Sequence, residues 1–178
     1  ILQGDQLTAV RLLGDSCELV AGNCLMSAGD APAIVLSETG TQSRSLDESA
    51  AQRRVRILAS TLASNQSALR FVHEAGTSSS APCEVVVKES LLVSTSQTDE
   101  PDAATMVSLV DWTENSSDLG SSRAQGLKWS TDDSQFLGWP TLVTMTSADG
   151  QSTTQVADAD EWRLFWNKPL SSDAFLRE

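Results

Sequence analysis

The stretch that decides the fold is Ser45–Gly76, SLDESAAQRRVRILASTLASNQSALRFVHEAG. Small or apolar residues at Ala51, Val55, Leu58, Leu62, Leu69 and Val72 follow the 3-4 spacing of one helical face, with Asn65 as its polar member. Ser45 stands three residues before Glu48, the spacing of a capping box, and Asp47 and Glu48 place negative charge at the positive end of the helix dipole. His73 falls in the last turn, and Gly76 supplies a left-handed stop. This pattern predicts a long amphipathic helix over about 46–75.

Outward from it, the chain reads as short extended elements. On the N-terminal side, Glu18–Val20 and Cys24–Met26 flank Gly22-Asn23 as a short hairpin, and Ala33–Leu36 is a compact strand. On the C-terminal side, β-branched residues over Glu84–Ser96 predict one long strand or two short ones. Strands are also expected over Thr105–Trp112, Gly126–Trp129, Pro140–Thr146, Thr153–Val156 and Glu161–Trp166. Asp149-Gly150 joins Thr141–Thr146 to Thr153–Val156 as a hairpin. No internal repeat stands out. The expected fold is therefore α+β in one domain of residues 1–178. It has a small β or irregular lead-in (1–44), the long helix (45–76), and a mostly antiparallel β portion (77–178) against which the helix packs. That outline resembles the globular heads of pilin-like and pseudopilin-like subunits, although those place the long helix first.

Composition narrows the function classes. The chain holds 12 basic and 24 acidic residues, for a net charge of −12. Such a surface repels phosphate backbones and anionic lipid, so nucleic acid is excluded as an expected partner. No run of apolar residues reaches the ~20 needed to cross a bilayer as a helix. The excess negative charge belongs to the second half, whereas Arg44, Arg53, Arg54 and Arg56 crowd the start of the predicted helix. These make Arg53, Arg54 and Arg56 a candidate basic binding patch.

Cys17 and Cys24 bracket six residues around a turn, which suggests a disulfide with Cys83 left free and buried; three reduced cysteines come next, and a bridge from Cys24 or Cys17 to Cys83 last. A bridge would imply a periplasmic or extracellular compartment. Chemistry-bearing constellations are sparse. His73 is the single imidazole, and neither a Gly-x-Ser-x-Gly elbow nor a Ser-x-x-Lys pair is present. Cys83 follows His73 by ten residues, but a buried structural thiol is the commoner meaning. The acidic runs Asp99, Glu100, Asp102 and Asp158, Asp160, Glu161 do not fit a calcium loop, and no phosphate-binding glycine motif occurs. No cofactor, metal site or catalytic set is expected.

All five tryptophans lie in the second half of the chain, from Trp112 to Trp166. Trp129, Trp139, Trp162 and Trp166 form either the core beneath the helix or an exposed platform for a sugar or a protein. The leading expectation is a non-enzymatic structural or protein–protein interaction subunit of a cell-surface, periplasmic or virion-type assembly, whose partners are other protein subunits. The alternative is a small carbohydrate- or peptide-binding module using exposed tryptophans. A carboxylate-based hydrolase comes third.

Overall fold

The structure, a computed structural model, describes residues 8–14, 16–37, 52–72, 83–96, 107–113, 127–147, 150–151, 153–166 and 175–176. Its chain winds in coils of three strands. The first coil is β1 (Val10–Leu13), β2 (Cys17–Gly22) and β3 (Leu25–Ala28), and the second is β4 (Ile34–Ser37), β5 (Arg53–Leu58) and β6 (Thr61–Ser64). The third is β7 (Ser67–Val72), β8 (Cys83–Lys88) and β9 (Leu91–Ser94), and the fourth is β10 (Ser108–Thr113), β11 (Leu127–Asp132) and β12 (Gln135–Leu137). Then come β13 (Thr141–Thr146), β14 (Thr153–Val156), α1 (Ala159–Trp166) and β15 (Phe175–Leu176).

Every strand but β14 pairs in parallel with its counterpart one coil away. The result is three sheets in the orders β1-β4-β7-β10-β13-β14, β2-β5-β8-β11 and β3-β6-β9-β12-β15. This is a parallel β-helix. Parallel neighbours need a crossover of a dozen or more residues, and here the other two sides of the coil supply it in place of a helix.

The repeating unit is a strand, a two-residue corner and a second strand. It reads CELVAGNCLMSA (17–28), RRVRILASTLAS (53–64), CEVVVKESLLVS (83–94) and LKWSTDDSQFLG (127–138). Alternation sends one set of side chains inward, where register stacks them in columns. Leu19, Val55, Val85 and Trp129 form one such column and Met26, Leu62, Leu92 and Phe136 another. On the first sheet, Leu12, Leu36, Phe71, Trp112 and Met145 align, with the Phe71 and Trp112 ring centroids 4.8 Å apart. These columns are the hydrophobic core.

The corners repeat as closely as the columns. Asn23, Ala59, Glu89 and Asp133 all adopt the left-handed conformation, with φ of 49°, 46°, 49° and 45°. The next position carries a ladder of its own. Ser60 Oγ accepts the Cys24 N–H at 3.1 Å, Ser90 Oγ the Ser60 N–H at 3.1 Å, and Ser134 Oγ the Ser90 N–H at 3.2 Å. Each hydroxyl donates in turn to the carbonyl two residues earlier, at Leu58, Lys88 and Asp132. Removing one hydroxyl leaves a buried N–H of the preceding coil without its acceptor. Ser90→Ala is thus expected to destabilise the fold by about 1–3 kcal/mol. Ser130→Ala, on an exposed outward position, should stay within about 0.5 kcal/mol. Urea midpoints of the two variants, measured side by side, check this.

The long helix over 46–75 is not what forms. Residues 53–72 of that range are β5, β6 and β7, while Ser45, Glu48, Ala51, His73 and Gly76 lie outside the described residues. The reason is a coincidence of periods. A side of this solenoid plus its two-residue corner advances the inward position by seven residues, as Val55, Leu62 and Leu69 show. Seven residues are also two helical turns, so the same spacing satisfies both patterns. Two features break the tie: Arg53, Val55 and Ile57 are buried while Arg54, Arg56 and Leu58 between them are not, and Ala59 has a positive φ that no helix interior accepts. Without the helix, the likeness to pilin-type heads is gone.

Other expectations change with it. The sheets are parallel except for one pairing, β13 with β14, which is the hairpin expected around Asp149-Gly150. Gly150 turns there at φ +69°, its N–H donating to the Ser147 carbonyl at 2.8 Å. Glu18–Val20 and Cys24–Met26 are not a hairpin, because β2 and β3 lie in different sheets and pair with β5 and β6. Glu161–Trp166 is helical, not extended. Asp158 Oδ1 accepts the N–H groups of Asp160 (3.0 Å) and Glu161 (2.9 Å), and Glu161 Oε2 accepts the Ala157 N–H at 2.7 Å. That capping box, Asp158-x-x-Glu161, is what starts α1.

Candidate protein-interaction site

The predicted site residues fall in places that change their meaning. Trp129 and Trp139 are buried, Trp162 is buried at 1% exposure, and Trp166 is half-buried. Trp129 meets Trp162 edge-on at 5.4 Å, Trp162 lies 5.5 Å from Trp166, and the Trp139 Nε1–H donates to the Leu92 carbonyl at 3.0 Å. The rings are core and end-cap, so Trp129, Trp139 and Trp162 do not make a surface platform.

The arginines separate by parity. Arg53 points inward between Cys17 and Cys83 and is fully buried, so it belongs to no surface patch. Arg54 and Arg56 point outward, but acidic residues meet them there. Arg54 Nε lies 2.8 Å from Glu84 Oε2, and both Arg54 Nη1 and Arg56 Nε lie 3.8 Å from Glu18 Oε1. With Lys128 next in register after Glu84, the row Glu18, Arg54, Glu84, Lys128 alternates in sign up the second sheet. Such exposed pairs are worth roughly 0.2–1 kcal/mol each. They are a solvated face and not a free basic patch.

None of Cys17, Cys24 and Cys83 is in a disulfide. Cys17 opens β2 and Cys24 sits past its far end; an extended strand rising ~3.3 Å per residue carries the two well beyond disulfide reach. The expected 17–24 bridge is therefore corrected, and with it the redox argument for compartment. Cys83 is buried as expected, and its burial pushes the thiol from 9.0 up to about 12, partly offset by the Arg53 charge. It stays a neutral, inert thiol at physiological pH.

His73 and the run Asp99, Glu100, Asp102 lie outside the described residues. Asp158 and Glu161 spend oxygens on the α1 cap, and Asp160 Oδ1 pairs with Arg163 Nη1 at 3.3 Å. Among the described residues, no group of three or more His, Cys, Asp or Glu could hold a metal ion. No helix among them is long and apolar enough to cross a membrane.

The site that does emerge is the first-coil end of the solenoid. At the opposite end, the antiparallel strand β14 closes the first sheet, and α1 lays Trp162 against Trp129. The first coil has no comparable cover among the described residues. Its inward residues Val10, Leu12 and Leu19 are only half-buried, whereas Ile34, Leu36 and Val55, one coil up in the same columns, are 0% exposed.

Hydrogen-bond direction adds a second layer. The Val10 N–H donates to Ala33 O, the Asn23 N–H to Leu58 O, and the Cys24 carbonyl accepts from Thr61 N–H. Along a parallel strand, successive residues aim their N–H and C=O to opposite sides. Arg11 and Leu13 on β1, Glu18, Val20 and Gly22 on β2, and Leu25 and Ser27 on β3 therefore aim theirs away from the second coil. Three of the four large hydrophobic side chains exposed among the described residues belong to this set, one per strand: Leu13 (59%), Val20 (55%) and Leu25 (49%).

Among the described residues, no strand pairs with the outer edges of β1, β2 and β3, so the end offers three strand edges around an apolar floor. Chemically it can do one thing well, which is to accept further strands by main-chain hydrogen bonding. The composition reading pointed to Trp and Arg because they are conspicuous residue types. Leu13, Val20 and Leu25 become informative only once the coil boundaries are known.

The third sheet's outward positions, Leu25 and Ser27, Thr61 and Ala63, Leu91 and Val93, Gln135 and Leu137, carry no charge, in contrast to the alternating row on the second sheet. Comparison with known protein families, with curated proteins and with solved structures finds no match to this chain.

Proposed function

We propose that this chain is a non-enzymatic structural subunit that joins other protein subunits through the first-coil end of its β-helix, within a cell-surface, periplasmic or virion-type assembly. The observation that carries the reading is the asymmetry of the two ends. One is finished by a reversed strand and a capped helix, and the other leaves Val10, Leu12 and Leu19 half-covered beneath three strand edges. Solenoid proteins stay soluble by capping terminal repeats, so an end that no described residue caps is an invitation to pair. The acidic surface supports the same reading by keeping the rest of the molecule from associating indiscriminately.

Amide hydrogen exchange on the dilute chain tests it. The Val20 amide, at the open edge, should exchange far faster than Val86, two coils up in the same outward row. Equal protection at both positions would mean that the edge is already covered and would remove the basis of the proposal.

A further inference from the structure

We infer that the occupant of the open end is a second copy of this chain, apposed first coil to first coil in a closed two-fold dimer. The inference rests on the interaction reading above and names the partner. Symmetry selects the arrangement. A head-to-tail stack would set the first coil of one copy on the last coil of the next, but there β14 runs antiparallel to β13 and α1 covers Trp129. A parallel coil cannot continue in register from that surface.

Two first coils meet without this obstacle. A two-fold axis perpendicular to the solenoid axis reverses the sense in which one chain circulates, so the facing edges pair antiparallel, the slightly more stable ladder. Such an interface is isologous and stops at two copies.

Charge agrees. Each molecule carries a net −12 and repels its copy at most orientations. Among the residues of β1, β2 and β3, however, only Arg11 and Glu18 are charged, one of each sign, so the strands that would meet are balanced. Size sets the affinity. Strands of four, six and four residues give coil sides of about 13–20 Å, and the end buries on the order of 1,000 Å² over both copies. That is the low end for a specific interface and fits a dimer that dissociates on dilution.

Sedimentation velocity of the full chain from about 1 to 100 μM reads this directly. The expected result is a reversible monomer–dimer equilibrium with no larger species. Val20→Pro removes an edge donor that no ladder bond among the described residues uses, and Leu13→Lys places a charge on the rim; each should weaken the dimer by about tenfold or more while leaving the unfolding midpoint near that of the parent. Leu164→Lys, exposed at the far end, should leave the equilibrium unchanged.

Open-ended growth, or a dimer indifferent to Val20→Pro and Leu13→Lys, would overturn the inference. So would a chain that stays monomeric throughout. In that last case the Val20 amide separates the outcomes. Fast exchange in the monomer leaves the open end for a different protein partner, and a protected amide ends the interaction reading as well.

Discussion

Trp162→Ala is expected to lower the stability of the chain by about 3–5 kcal/mol, the range for deleting a buried large aromatic side chain. Trp162 is 1% exposed, meets the edge of Trp129 at 5.4 Å and lies 5.5 Å from Trp166, so its loss opens a cavity at the last coil. The effect has a second part that a globular core would not show. In a solenoid each coil touches only its neighbours, and an end without its cap frays inward from there. Amides of β11 and β12 should therefore exchange faster in Trp162→Ala, while those of β5 keep most of their protection. Leu164 is the control: it lies on the same helix at 78% exposure, and Leu164→Ala should stay within about 0.5 kcal/mol. Equal losses from the two substitutions would show that α1 does not cap the core.

The cap also makes the asymmetry of the molecule physical. Asp158 and Glu161 start α1 by satisfying backbone N–H groups, the helix sets Trp162 on the last coil, and β14 reverses direction beside β13. Three local devices finish one end. At the other end, the same columns stop, among the described residues, at Val10, Leu12 and Leu19, which are half-buried. The functional proposal lives on that difference, not on any single residue type.

Much of the strand content was legible in the sequence. Thr153–Val156 is a strand with the bounds its composition suggests, Ala33–Leu36 and Pro140–Thr146 are close to β4 and β13, and Glu84–Ser96 divides into β8 and β9. Local propensity and turn chemistry act over a few residues, and so they can be read over a few residues. How those strands are arranged was not legible. The repeat is hidden because segments of unequal length separate its units: Leu19, Val55, Val85 and Trp129 stand 36, 30 and 44 residues apart. Its columns also tolerate any residue that fits, as Cys17, Arg53, Cys83 and Leu127 illustrate. The one identity that three of the four units share, Ser60, Ser90 and Ser134, is broken in the first coil by Cys24, whose Sγ lies 3.4 Å from Ser60 Oγ. Aligning the four units on that corner serine is the signal that finds the fold.

The two readings of residues 45–76 differ most sharply at neighbouring positions, where one experiment separates them. On a helix with Val55, Leu62 and Leu69 inward, Leu58 joins the buried row and Ile57 faces away. On β5 the order is reversed: Ile57 is 0% exposed in the column of Ala21, Val87 and Thr131, and Leu58 points outward and is only half-buried. Ile57→Ala is accordingly expected to cost about 2–5 kcal/mol, since the coils above and below cannot close a void between stacked side chains. Leu58→Ala removes contacts from a surface position and should cost about 1 kcal/mol or less. The comparison is internal, with the same side-chain size class one residue apart, so errors in extrapolating denaturant curves largely cancel. A larger loss at Leu58 than at Ile57 would restore the helical face and dismantle the β-helix, and with it the open strand edges on which the proposed dimer depends.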